Sequence, residues 1–266
     1  MNTDEKIAKI RSILKQLKGN GTDDDIVEMF MKMLDEPERL LQIDDEFHFD
    51  NSICTTKCDG NCCSGDKIIR LTPIDMDHLV KGMSFLSRET ILKNVDIFLG
   101  HESMIPMATI RFVQVSKKLS ICPFCAVRVD ARNRAKMKIN GICLAGQKNK
   151  PPACFWFPLG RMAAFDKDDG KPRDEDSSFF IQSCPATKTD KKISIRAFVD
   201  QYKDRANDIG MYIMKMERLI ERAKKKLPDQ VIRLMLVPAL KILFYSDRSF
   251  DEKYADVEAI FSQFGI

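Results

Sequence analysis

The chain has 266 residues, 44% of them hydrophobic and 31% charged, with a formal net charge of +4. That apolar share excludes a disordered chain, and the near balance of charge gives no reason to expect nucleic acid or an anionic membrane as a partner. No apolar run reaches the roughly 18–20 residues that span a bilayer, and the start at Met1-Asn2-Thr3 lacks the apolar stretch of a secretory signal, so no membrane partner and a cytoplasmic address are expected.

Residues 1–45 predict two helices. Ile7, Ile10, Leu14 and Leu17 share one helical face, Gly19-Asn20-Gly21 ends the first helix, and Thr22 caps a second with Ile26, Phe30, Met33 and Leu34 as its stripe. From residue 46 the pattern becomes short and irregular. Strands are expected at Glu46–Phe49 and Lys67–Leu71, and Thr72-Pro73 marks a helix start with threonine as cap and proline in the first turn. A further helix is expected over Arg88–Leu99, and strands over Thr109–Val115, Ala126–Val129 and Arg134–Ile139 with a turn between the last two. Asp166–Asp176 reads as a charged loop. Beyond Ser194 one helical stripe runs from Ile195 to Ile220, Asp229–Tyr245 forms another helix containing Pro238, and Ser249-Phe250-Asp251-Glu252 is a capping box for the last. The basic residues between Lys191 and Lys226 fit a solvated helix surface.

The nine cysteines all lie between Cys54 and Cys184. An odd count without an export signal argues against a disulfide framework and for metal binding in a reducing compartment. The first group, Cys54-x3-Cys58-x3-Cys62-Cys63, brackets Asp59-Gly60-Asn61, a turn that folds sulfurs toward one point. Clustered thiolates repel one another, and a cation relieves the repulsion. Neither the C-x2-C knuckle of zinc ribbons nor the C-x2-C-x2-C run of bacterial ferredoxins is present in that group. In an extended segment Cys62 and Cys63 point to opposite faces, so Cys63 is expected to turn away from Cys62 toward a second site. Cys122-Pro123-Phe124-Cys125 resembles a redox dithiol, but no βαβ unit surrounds it. His48, His78 and His101 read as structural, the methionines as packing, and Trp156 as either a shield for a cluster or an ordinary core ring.

Taken in order, Cys54 to Cys63, Leu71-Thr72-Pro73-Ile74-Asp75, Cys122-Pro123-Phe124, Cys143, Pro151, Cys154, Phe157-Pro158 and Cys184 resemble the YkgJ-type cysteine-cluster family. That family comprises zinc- or iron-chelating domains and includes the flagellin lysine methylases. The resemblance spans about residues 46–200. It departs from the family pattern at Lys150 and Phe155, where arginine is usual, and Cys125 is an additional thiol. The resemblance implies a metal module held by Cys54, Cys58, Cys62, Cys63, Cys122, Cys143, Cys154 and Cys184, enough for two four-thiolate sites or for one cluster plus structural thiols.

The expected architecture is α+β: an irregular cysteine-rich metal-binding core over 46–190, an N-terminal helical pair over 1–45 and a C-terminal helical region over 191–266. Three functions compete. One is an iron–sulfur protein, with a [4Fe–4S] cluster, serving redox, sensing or structural ends with an unidentified protein or redox partner. A second is a lysine N-methylase-like enzyme, and a third a zinc-stabilised interaction module. The methylase lacks a glycine-rich strand-to-helix loop for S-adenosylmethionine, and Asn61 stands where a C-x3-C-x2-C motif needs its third thiol.

Overall fold

The computed structural model describes residues 40–266 apart from 57, 59, 66, 118, 131–132 and 166–167, so the helices expected before residue 40 lie outside the described residues. In chain order, β1 (Leu40–Leu41) and β2 (Glu46–His48) precede helix α1 (Asn51–Thr56) and a 3-10 turn at Asn61–Cys63. Next come β3 (Arg70–Leu71), α2 (Pro73–Gly82), α3 (Arg88–Leu92), β4 (Val95–Leu99) and β5 (Pro106–Ile110). The strands β6 (Val113–Ser116), β7 (Leu119–Ile121), β8 (Cys125–Asp130) and β9 (Asn133–Cys143) follow. A 3-10 turn at Gln147–Asn149 leads into α4 (Pro152–Phe155), then β10 (Leu159–Phe165) and β11 (Pro172–Ile181). A 3-10 turn at Pro185–Thr187 precedes β12 (Lys192–Ser194), and the chain closes with α5 (Ile195–Asp200), α6 (Lys203–Lys224), α7 (Asp229–Tyr245) and α8 (Phe250–Ser262).

The strands form small antiparallel sheets, β1-β11-β10, β3-β5-β4 and the pairs β12-β2, β6-β7 and β8-β9, so the chain is α+β as its pattern predicts. Both expected caps are present. Thr72 accepts from the Asp75 amide while the Asp75 carboxylate accepts from the Thr72 amide, and Ser249 and Glu252 do the same for α8. Among the described residues no helix is long and apolar enough to cross a membrane.

Two large hydrophobic clusters organise the interior of the described residues. The larger packs α2, α6, α7 and α8 around the β3-β5-β4 sheet through Leu71, Leu79, Ala108, Leu219, Leu236 and Phe261, all fully buried. The smaller unites Phe47, Phe49, Leu159, Phe179, Ile195 and Phe198. Cys122, Cys143 and Cys154 pack on the larger cluster, while Cys54 and Cys184 belong to the smaller. These five cysteines therefore line a seam between the two cores, while Cys63 and Cys125 pack with Ile121 in a third, smaller cluster. Gly82 holds one side of that seam close: a Cβ there would stand 2.2 Å from the Ala145 carbonyl oxygen, so only glycine lets α2 approach the loop that carries Lys150.

Several local expectations are corrected. The helix expected over Arg88–Leu99 stops at Leu92, because Val95 to Leu99 alternates between partly covered and exposed positions and pairs with β5. The strand expected over Thr109–Val115 is divided between two sheets, β5 and β6. That at Lys67–Leu71 shrinks to Arg70–Leu71, and Leu40–Leu41 is strand rather than helix, pairing with Phe179 and Phe180. Much of the expected charged loop is strand, since Pro172 and Arg173 pair with Phe165 and Ala164. An exposed hairpin end tolerates charged side chains on both faces, so polarity there does not report a loop. The long C-terminal stripe breaks at Gln201 and Tyr202, where Tyr202 turns to stack on Phe155 at 4.0 Å between centroids.

Candidate thiol site at the seam of the two cores

Backbone hydrogen bonds tie the separate cysteine segments together. Cys58 donates its amide to the Ile53 carbonyl at 2.9 Å, closing the chain beyond α1, and Gly60, at φ +73°, starts the turn that carries Cys62 and Cys63. A glycine adopts that left-handed conformation at little cost. The Cys122 amide donates to the Cys63 carbonyl at 2.8 Å, and Cys125 is paired with Cys143 across β8 and β9. Asp50 donates to the Ala186 carbonyl at 3.0 Å, which brings α1 beside the turn after Cys184. Cys154 lies in α4, started by Pro151-Pro152. Non-local pairing, not sequence spacing, thus gathers the thiols.

All of them except Cys125 line one or both of two adjoining chambers. The larger, about 290 Å³, has Cys54, Cys58, Cys62, Cys154 and Cys184 in its wall. The smaller, about 20 Å³, is walled by Cys62, Cys63, Cys122, Cys143 and Cys154. Three residues line both: Cys62, Cys154 and Lys150. All nine cysteines are free thiols.

The electrostatics divide the thiols along the same line. Burial, then the neighbouring charges of Cys58, Cys62 and Cys184, push the Cys54 thiol up to about 11. Burial likewise raises Cys122, to about 12, and the charges of Cys143 and Cys62 add to it. Cys154 is raised by burial and by Cys122, Cys143 and Cys62, and Cys143 by burial and Cys62. Cys62 therefore belongs to both neighbourhoods. Two opposing influences favour thiolate: the amides of Phe124 and Ala145 donate to the sulfurs of Cys122 and Cys143, and Lys150 acts on Cys54, Cys62, Cys143 and Cys154. A hydrogen bond from N–H stabilises a charged sulfur over a neutral one.

The vicinal pair departs from expectation. Cys62 Sγ and Cys63 Sγ lie 3.8 Å apart instead of facing opposite ways, because the segment is a 3-10 turn and not an extended strand. Their mutual hydrogen bond raises Cys62, and the hydrogen bond to Cys125 raises Cys63. Cys125 is buried beside Cys63 at the start of a strand, not at a helix start, so the redox-dithiol geometry is absent from the Cys122–Cys125 segment. The rings on the larger chamber are Phe155 and Phe157; Trp156 is not in its wall, and its indole Nε1 is buried without a partner. His48 is exposed on β2.

The donor set fits a thiophilic metal in kind, since every candidate ligand is a soft thiol and amide donors already address two of them. In placement it is not preformed: among the described residues no group of three or more His, Cys, Asp or Glu is arranged to hold a metal ion. The raised thiols carry a pH dependence of their own. Their folded values exceed the ordinary thiol value near 9, so they stabilise the metal-free fold below pH 9. That contribution is lost as pH rises through about 11 for Cys54 and about 12 for Cys122. Denaturant titrations of reduced, chelator-treated protein are expected to show stability falling above pH 9, by at most about 1.4 kcal/mol per pH unit for each buried thiol and less for half-buried Cys54. A stability flat to pH 11 would show that the thiols are not held neutral by the fold.

Sequence reasoning did not find the aromatic and amide wall of the larger chamber, Phe49, Phe155, Phe198, Gln147 and Tyr202. No motif marks these positions in the sequence, where Tyr202 reads as one member of a continuous helical stripe. No protein-family model, no curated protein and no solved structure matches this chain.

Proposed function

We propose that the chain is a cysteine-cluster protein whose thiols hold a metal centre, an iron–sulfur cluster in the first place, for redox, sensing or structural purposes. One observation carries the reading: segments as far apart in sequence as Cys54 and Cys184 deliver thiols to one seam, with amide protons already directed at Cys122 and Cys143. Cys54, Cys58, Cys62 and Cys184 would hold a centre on the side of the larger chamber; Cys122, Cys143 and Cys154 flank the other side, with Cys62 between. A bound iron–sulfur cluster would supply one-electron chemistry, and a zinc ion a rigid cross-link.

The residues themselves do three things. Lys150 supplies positive charge against the thiolates, the Phe124 and Ala145 amides lower sulfur basicity, and Phe155 and Phe157 restrict water on the open side. Because the thiols are raised, metal uptake must release protons and is expected to weaken on acidification. The ordered cysteine series and its resemblance to the YkgJ-type family add support of a different kind.

A second reading is favoured by the size of the smaller chamber. At about 20 Å³ it matches a single ion or water, which suits one zinc bound by Cys122, Cys143 and Cys154 with Cys62. The deciding experiment is iron, sulfide and zinc analysis of anaerobically produced protein, with a visible spectrum. Iron and sulfide with a broad absorption near roughly 400 nm support the cluster; stoichiometric zinc without either turns the assignment to a zinc module. Protein that takes up neither metal under reducing conditions sinks both readings.

A further inference from the structure

The larger chamber is more spacious than a metal ion needs. At about 290 Å³ it approaches the lower bound of small-molecule pockets, roughly 300 Å³. Away from the thiols its wall is aromatic and ordered. Phe155 and Tyr202 stack with planes 16° apart, and Phe49 meets Phe198 edge to face at 5.7 Å. The Tyr202 hydroxyl accepts a hydrogen bond from Gln147 Nε2 at 2.8 Å, which fixes the ring before any ligand arrives. Preorganisation of this kind lowers the entropy cost of binding.

The charge of the wall is one-sided. Lys150 and Lys191 line the chamber, and no Asp or Glu does so among the described residues. Lys191 stands toward solvent, loosely paired with Asp50 at 3.9 Å. Lys150 is partly buried and has no hydrogen bond or ion pair to a described residue. A partly buried cation with no acid opposite it attracts an anion more strongly than a surface lysine does.

We propose that this chamber binds a small organic anion with a flat apolar body, its ring against Phe155, Tyr202 and Phe198 and its acidic group on Lys150. The ring contacts use the aromatic wall of the chamber, whereas Lys150 also acts on the thiols, so the charge contact is tested with and without metal in the same chain. A neutral ligand of the same shape keeps the ring contacts and loses the charge-assisted hydrogen bond, while a cationic one meets two like charges.

Isothermal titration of the full chain with naphthalene-2-carboxylate, naphthalene-2-carboxamide and 2-naphthylmethylamine tests this. Each is titrated into protein as purified and after chelator treatment, with metal content measured on the same samples. The carboxylate is expected to bind at one saturable site, the amide about tenfold more weakly through loss of one charge-assisted hydrogen bond, and the amine not at all. Lys150→Gln should reduce the carboxylate to the affinity of the amide, Lys150→Arg should keep the preference, and Tyr202→Ala should weaken carboxylate and amide together. No binding, equal binding of carboxylate and amine, or a carboxylate affinity unchanged in Lys150→Gln would overturn the proposal. Metal uptake is scored separately, so a chain that takes up no metal under reducing conditions yet binds the carboxylate through Lys150 retains the anion site while losing the metal reading, and the reverse result does the opposite.

Discussion

Replacing Cys62 by Ser is expected to remove metal uptake at both groups of thiols, whereas Cys184→Ser and Cys143→Ser each impair one. The reason is positional. Cys62 lines both chambers, and its charge acts on Cys54 on one side and on Cys122, Cys143 and Cys154 on the other. Serine keeps the size of the side chain but is a hard, weakly acidic donor that a thiophilic metal does not favour. Loss of an outer partner to a ligand already costs 10–100-fold in affinity, so loss of the shared ligand should exceed about a hundredfold. Competition with a chromophoric chelator, read alongside the visible spectrum, measures this. Because the turn is fixed by Gly60 and backbone hydrogen bonds, the metal-free Cys62→Ser chain should melt close to the parent. If Cys62→Ser retained full metal content while Cys184→Ser and Cys143→Ser lost it, the two groups would be independent and the shared position of Cys62 without consequence.

Asp75→Asn is expected to be among the most destabilising single changes in the described chain. Asp75 is 1% exposed and Arg205 6%, and Arg205 Nη2 donates to Asp75 Oδ1 at 2.8 Å. The other carboxylate oxygen accepts from the Thr72 amide and hydroxyl, both at 2.9 Å, so one side chain caps α2 and neutralises α6. Arg205 also lies over the Phe155 ring at 5.4 Å and donates to the Lys148 carbonyl at 3.3 Å, which ties this pair to the segment bearing Lys150 and Cys154. Its Nε is buried without a partner, so the guanidinium already carries one unmet donor. Removing one member of a buried ion pair strands the other charge and costs about 3–5 kcal/mol, which lowers the melting temperature by roughly 10 °C in a chain of this size. Asp75→Asn with Arg205→Met should recover part of that loss, since no buried charge is then left alone. A loss below about 1 kcal/mol for Asp75→Asn, read by denaturant unfolding, would mean that water reaches Arg205 and that the pair does not brace the seam.

Thr72, Pro73 and Asp75 show what local chemistry makes legible. A capping box satisfies its own orphan amides within four residues, so the start of α2 follows from the sequence with no help from the rest of the fold, as does Ser249-Glu252 at α8. The 88–99 segment shows the opposite. Its apolar residues fit a helix or a strand, and β5 decides between them by offering backbone partners from Val95 to Leu99. Cys62 and Cys63 depart from the expected alternation for a related reason: alternation of side chains holds only for extended backbone, and Gly60 opens a 3-10 turn instead.

The α+β class, the caps, the long apolar stripes of the C-terminal helices and the confinement of every cysteine to one stretch are legible in the chain alone, because each depends on near neighbours or on composition. Folding in three dimensions sets the rest: thiols meet at the seam of two cores, Cys62 and Lys150 stand between two chambers, and the larger chamber is walled by rings and lysines without an acid among the described residues. These are relations among segments more than a hundred residues apart, such as Cys54 and Cys184. They arise from hairpin register, from the approach that Gly82 permits and from a buried ion pair joining α2 to α6, and long-range packing of that kind leaves no period or motif in the chain.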